Sequence, residues 1–252
     1  MIGLFDSGIG GLSVLREVRS VLPEADLLYV ADRGRGPYGP KTLEEVRAIS
    51  HDVATWLVDH GADCLVVACN TASAAALESL REQFPDLPIV GMEPAVKPAA
   101  AGTSTGTVAV FATAATFQGE LFNSVVRRFA DGVVVLTRAC PEWVELVEGG
   151  VVTGPVAEET VRSALEPAIA AGADRIVLAC THFSFLRRTI ETVSSLEVID
   201  PAPAVAAQVA RVAPTGTGSA RTTLAASGDL DEFERLARSI AAIDAPVIPF
   251  PA

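Results

Sequence analysis

The sequence predicts an α/β protein of two similar αβα lobes with mainly parallel sheets. The lobes form a pseudo-twofold duplication, with the candidate active site in the cleft between them. Three observations carry this. Short, almost wholly apolar runs alternate with longer amphipathic segments, as when strands are buried on both faces and helices pack over them. The pattern restarts mid-chain: Phe5 maps to Phe111, Pro94 to Pro201 and Cys69 to Cys180 at a nearly constant separation. In each copy an apolar run ends on a cysteine followed by helix-starting polar residues, Cys69-Asn70-Thr71 in one and Cys180-Thr181-His182 in the other. The expected division is residues 1–97, completed by 207–252, for the first lobe, and 98–206 for the second.

The elements follow in order. A strand over 2–5 enters Asp6-Ser7-Gly8-Ile9-Gly10-Gly11-Leu12-Ser13, and a helix runs to about Val21, stopped before Pro23. A dinucleotide fingerprint needs a third glycine where Ser13 stands, and no Walker A motif is present, so the turn reads as one that presents Asp6 and Ser7. The second strand, 26–31, ends in the turn-rich loop Asp32-Arg33-Gly34-Arg35-Gly36-Pro37-Tyr38-Gly39-Pro40, which holds Tyr38 on punctuated backbone. A helix over 42–60 precedes the cysteine strand, 64–68. The next helix starts on Asn70, Thr71 or Ser73, all suited to capping, and reaches Gln83. A short strand at 88–91 leads to Glu93-Pro94, and the small, polar stretch 99–107 reads as a linker.

In the second copy, a strand over 108–111 ends in Ala112-Thr113-Ala114-Ala115-Thr116 and a helix continues to about Phe129. A strand over 133–136 leads to Cys140-Pro141 and the acidic stretch 142–148. A helix over 160–171, the cysteine strand 176–179 and a strand at 198–199 close the copy at Asp200-Pro201. Beyond the Pro/Gly/Thr/Ser segment 214–219, a strand over 222–225 and a helix over 229–242 are expected to return to the first lobe.

With 252 residues, half of them apolar and a fifth charged, the chain can bury a large core. A net charge of −12 argues against nucleic acid or an anionic membrane as partner. Four cysteines are too few for a disulfide scaffold and suit reduced thiols in the cytoplasm. The first residues read as a strand rather than a signal peptide, and no apolar run reaches the ~18 residues of a membrane helix. The expected partner is a small molecule.

Three readings of Cys69 and Cys180 compete. As core residues they would resemble Cys64 and Cys140, whose burial needs no further explanation. As metal ligands, Cys180 and His182 are too few and lack the usual spacing, so no metal is expected. As acid and base, one on each wall of the cleft, they can remove a proton from one face of a carbon and return one to the other, inverting it without a cofactor. The matched strand-end placement favours this third reading. A helix start lowers a thiol's pKa, so Cys69 is expected to titrate below the ~8.5 of free cysteine, with an ionised Asp6 pushing the other way. Asp6 and His182 are placed to adjust the two thiols, whereas His51 and His60 fall on a predicted surface helix.

The chain resembles the bacterial glutamate racemases of the aspartate/glutamate racemase superfamily. The resemblance runs nearly end to end, through Phe5-Asp6-Ser7-Gly8-Ile9-Gly10-Gly11, Pro37-Tyr38-Gly39, Ala68-Cys69-Asn70-Thr71-Ala72-Ser73, Glu93-Pro94, Leu146-Val147-Glu148, Cys180-Thr181-His182 and Ala226-Ser227-Gly228-Asp229. It implies cofactor-independent interconversion of L- and D-glutamate, supplying D-glutamate for peptidoglycan, with a related aspartate or hydantoin racemase as the alternative. It implies that Cys69 takes the α-proton of the D-enantiomer and Cys180 that of the L-enantiomer, assisted by Asp6, Glu148 and His182. It implies substrate contacts from Asp6, Ser7, Tyr38, Gly39, Asn70, Thr71, Thr113, Thr116, Thr181 and His182. A homodimer is left open. Three departures flank the site: Phe183-Ser184 where the family has Tyr-Pro, Ala179 where it has Gly, and a more basic Arg33-Gly34-Arg35 after Asp32.

Overall fold

The structure, a computed structural model, describes residues 1–214 and 218–252. The chain begins β1 (Ile2–Asp6), α1 (Leu12–Val21), β2 (Leu27–Ala31), α2 (Leu43–Asp59), β3 (Cys64–Val67), α3 (Asn70–Gln83), β4 (Ile89–Gly91) and α4 (Val96–Gly102). It continues β5 (Thr107–Ala112), α5 (Ala114–Gln118), α6 (Glu120–Phe129), β6 (Val134–Ala139), α7 (Pro141–Glu148), α8 (Pro155–Ala170) and β7 (Arg175–Ala179). A 3-10 helix (Thr181–Leu186) follows, then α9 (Arg187–Val193), β8 (Glu197–Ile199), α10 (Ala202–Val212), β9 (Thr222–Ala226), α11 (Leu230–Ala241) and β10 (Val247–Pro249).

Two all-parallel sheets result, ordered β10-β9-β2-β1-β3-β4 and β6-β5-β7-β8. The run β2-β1-β3-β4 and the whole second sheet share one order, which is the duplication legible as a sequence repeat. Strand β1 lies centrally, pairing Ile2 with Leu27 on one side and with Cys64 on the other, and all its residues are buried. That is why its sequence is continuously apolar until Asp6. After β8 the chain returns to the first sheet: α10 packs on α1, and β9 lies beside β2 with Leu27 opposite Thr222. Among the described residues, no helix is long and apolar enough to cross a membrane.

Several elements differ from the sequence expectations for local reasons. The stretch read as a linker, 99–107, begins inside α4, where Ala99 is buried, so small residues there serve packing rather than flexibility. The acidic stretch is the helix α7: Pro141 opens it, and Trp143, Val144 and Val147 turn inward while Glu145 stays exposed. Helix α8 begins at Pro155, earlier than periodicity indicates, and β6 runs on to Ala139. Gly119, extended at ψ 141°, divides the expected helix after Thr116 into α5 and α6. Strand β10 was not expected. The segment 214–219 falls partly outside the described residues. Helix α2 follows the pattern closely, with Thr42 and Glu45 forming a capping box.

The second lobe's core is organised around Trp143. Its ring stacks on Phe111 at 5.1 Å and meets Phe183 edge-on at 4.9 Å. Phe183, one of the departures from the family pattern, is fully buried.

Candidate active site

Parallel strands of both sheets end facing a common cleft, where open α/β sheets bind ligands. The cavity there has a volume of about 340 Å³ and is lined by both Cys69 and Cys180. Ser7, Tyr38, Gly39, Asn70 and Thr71 line it from the first lobe, and Thr113, Thr181 and His182 from the second. Asp6, Glu148 and Thr116 stand one layer behind, each bonded to a group in or beside the wall. The structure thus brings together every site residue that the sequence singled out.

Cys69 is the N-cap of α3, its sulfur accepting from the Ala72 amide at 3.5 Å. The expected caps behind it are freed for other work. Ser73 donates to the Val67 carbonyl, and Thr71 bonds Thr113 across the cleft at 2.9 Å, with Thr113 passing the contact to Thr116 at 2.9 Å. Asn70 is only 3 % exposed, and neither its amide nitrogen nor its oxygen has a partner. A buried amide with both ends unbonded is costly unless something in the cavity takes them up.

The two thiols sit in different electrostatic settings. Burial pushes the Cys69 thiol well up, and like charge from Asp6 adds to this, against the Ala72 and Ser7 amides. The expectation that the helix start would carry Cys69 below free cysteine is therefore overturned. Two backbone donors do not offset complete burial beside a carboxylate. Asp6 is itself pushed up to about 6 by burial, opposed by the charge of His182 and by hydrogen bonds from Thr181, at 2.8 Å, and the Gly8 amide.

Cys180 is served by a relay. His182 Nδ1 lies 3.8 Å from its sulfur, and His182 Nε2 lies 2.7 Å from Glu148 Oε1, which also accepts from the Ile9 amide at 2.9 Å. Burial disfavours the imidazolium, but Cys180 and Glu148 together hold His182 well above the ordinary imidazole value. Burial also works against the Glu148 carboxylate. His182, the Ile9 amide and Arg33 outweigh it and hold Glu148 at about 2.

The glycine turn after β1 makes this relay possible. A Cβ on Gly8 would collide with Glu148, and one on Gly10 with His182 and Thr181, so these glycines permit close approach of the lobes. Tyr38 donates to Asp32 at 2.6 Å, and Asp32 also accepts from Ser227 at 3.0 Å and Arg35 at 2.8 Å. Sequence reasoning missed Asp32 as the anchor of Tyr38. Its place at the end of β2, matching Asp6 at the end of β1, was the available signal. Among the described residues, no three His, Cys, Asp or Glu side chains gather as a metal site.

A thiol on each wall, each with its own titratable neighbour, suits proton removal on one face of a carbon and delivery on the other. Residues 12–209 match the family model described as Asp/Glu/Hydantoin racemase. The chain is 47% identical over 244 residues to the glutamate racemase of Roseiflexus sp. (strain RS-1), covering 93% of this chain and 90% of that protein. It superposes on the Escherichia coli glutamate racemase solved with L-glutamate and the activator UDP-MurNAc-ala at a TM-score of 0.88 and 29% identity, covering 98% and 97% of the two chains. The Thermus thermophilus glutamate racemase solved with β-chloro-D-alanine gives 0.82 and 36% identity, covering 99% and 96%. The chain is a member of the Asp/Glu/hydantoin racemase family.

Proposed function

We propose that this chain interconverts L- and D-glutamate without a cofactor, in the cytoplasm, supplying D-glutamate for peptidoglycan. The observation that carries the reading is the pair of strand-end cysteines facing one cavity from two lobes, with the unbonded Asn70 amide next to Cys69 in the first-lobe wall. The names of the relatives at 47% and 36% identity support glutamate as the substrate. We read residues 1–97 with 207–252 as the lobe that carries Cys69, and 98–206 as the lobe that carries Cys180; the return of β9 to the first sheet supports that division.

In this reading Cys69 removes the α-proton of D-glutamate while the Cys180 thiol delivers one to the opposite face, and the roles reverse for the L-enantiomer. Because burial favours the neutral Cys69 thiol, the base form needs a proton acceptor close by. Asp6, held near 6, is poised to take that proton. On the other wall, His182 and Glu148 adjust Cys180. Ser7, Asn70, Thr71, Thr113, Thr116, Thr181, Tyr38 and Gly39 supply hydroxyl, amide and backbone donors for the two substrate carboxylates. Such donors hold anions without a basic cluster, consistent with a chain of net charge −12.

The test is α-proton exchange and racemisation of glutamate, aspartate and a hydantoin in D2O, with no cofactor added. Glutamate should exchange and invert fastest. No exchange with glutamate under any condition would refute the proposal, and faster turnover of aspartate or the hydantoin would move the substrate assignment.

A further inference from the structure

Arg33 lies outside the cysteine cavity, in the wall of an adjoining one of about 350 Å³. Its side chain is 14% exposed, and Nε stands 3.3 Å from Glu148 Oε2. On its other side, Nη2 donates to Glu232 Oε2 at 2.7 Å and Nη1 to the Asp229 carbonyl at 3.3 Å. Glu148 ends α7 beside the second sheet, whereas Arg33 follows β2, and Asp229 and Glu232 belong to the N-terminal end of α11 beside the first. Among the described residues, Arg33–Glu148 is the one ion pair that joins the two lobes.

The two oxygens of Glu148 therefore have separate duties. Oε1 takes His182 and the Ile9 amide, and Oε2 takes Arg33. Without Arg33, Oε2 would face the adjoining cavity and water, and a carboxylate so placed gains by turning outward. We propose that Arg33 is a positioning residue for the Cys180 side of the reaction: it clamps Glu148 across the lobes so that the carboxylate stays on His182 and His182 stays on Cys180. The inference rests on the two-cysteine reading above.

The surrounding charges make the effect one-sided. His182 faces Cys180, Glu148 and Asp6, while Glu148 faces His182, Arg33, Asp6 and the Tyr29 hydroxyl. Cys69 faces Asp6, Cys180, Tyr29 and Tyr38, and the relay reaches it only at one remove, through the charges of His182 and Glu148 on Asp6. Loss of the clamp should thus impair Cys180 far more than Cys69.

Racemisation cannot display this difference in kcat/KM, because the enantiomers are equal in free energy and both directions must share one value. Elimination from β-chloroalanine is one-way. The base takes the α-proton, the C–Cl bond breaks with its electron pair leaving on chloride, and water converts the resulting aminoacrylate to pyruvate and ammonia. Full-length wild type, Arg33→Gln and Arg33→Lys should be run on both enantiomers. Arg33→Gln should lose roughly tenfold or more on the L-enantiomer, the scale of one lost charge-assisted contact, and less than about twofold on the D-enantiomer. Arg33→Lys should recover much of the loss. In a Cys69→Ser background, Arg33→Gln should also slow alkylation of Cys180 near neutral pH, located by mass spectrometry. In a Cys180→Ser background it should leave alkylation of Cys69 unchanged.

A strut that merely held the lobes together would depress both enantiomers alike. Equal loss on both, no loss on the L-enantiomer, or unchanged Cys180 alkylation overturns the clamp. If wild type eliminates neither enantiomer, the functional reading falls, and the alkylation pair alone then decides on Arg33.

Discussion

Asp6→Asn should stabilise the protein at neutral pH while impairing it as a catalyst. Asp6 is fully buried and held at about 6 against an ordinary value of 3.8. A carboxyl whose folded pKa lies above its unfolded one carries no penalty below the unfolded value and costs stability as pH rises through the folded value. The difference corresponds to about 3 kcal/mol of penalty above pH ~6.5. Asparagine keeps the shape and one acceptor oxygen but turns an NH2 toward either the Gly8 amide or the Thr181 hydroxyl, both of which now donate to Asp6. One displaced hydrogen bond offsets about 1 kcal/mol, leaving a net gain of about 2 kcal/mol. In a chain of this size that raises Tm by about 4–8 °C. Urea unfolding of both proteins from pH 4 to pH 8 checks this. The gap should be small at pH 4, widen by up to ~1.4 kcal/mol per pH unit through the interval between the two values, and level off above it. A gap independent of pH, or an Asn variant less stable at pH 8, would refute the assignment of a buried, strained carboxylate beside Cys69.

Glu148 runs the opposite way. Its folded value of about 2 lies below the ordinary 4.5, so the stability it contributes, about 3 kcal/mol, is present above pH ~4.5 and lost as pH falls toward 2. Glu148→Gln should flatten that acid limb in a pH series of thermal melts, and an unchanged limb would count against the His182 pairing. Cys69→Ser and Cys180→Ser should each abolish racemisation in both directions, yet Cys69→Ser should still eliminate chloride from the L-enantiomer of β-chloroalanine and Cys180→Ser from the D-enantiomer. Loss on both enantiomers in both variants would defeat the two-face assignment. Asn70→Ala should raise KM for glutamate by roughly tenfold or more, since a buried amide loses its ligand contacts, and calorimetry showing unchanged affinity would contradict its role. Gly10→Ala should cut kcat more than tenfold by displacing His182 and Thr181, with retained folding checked by circular dichroism.

The sequence by itself determined the strands other than β10, the duplication and the two cysteines, because these depend on local pattern. A strand buried on both faces must be apolar throughout, and its first polar residue marks the rim where a site can form, as Asp6 and Asn70 do. Helix α2 was legible as a helix over 42–60, whereas the end of α4 that falls in 99–107 was not, since small residues around the buried Ala99 read like a linker until their packing partner is known. Cys69, Cys180, Asp6 and His182 were legible from their placement, Glu148 and the substrate contacts only through the family resemblance, and the electrostatics from neither. A helix start next to Cys69 is visible in the sequence; the complete burial that outweighs it is not. Tertiary structure alone decided that Glu148 reaches from α7 to the Ile9 amide, that His182 turns one nitrogen to it and the other to Cys180, and that Arg33 closes the link to α11. Glu148 stands more than a hundred positions from Ile9 and Arg33, which belong to the other lobe, and the solvation and charge around each residue depend on three-dimensional neighbours that no local pattern encodes.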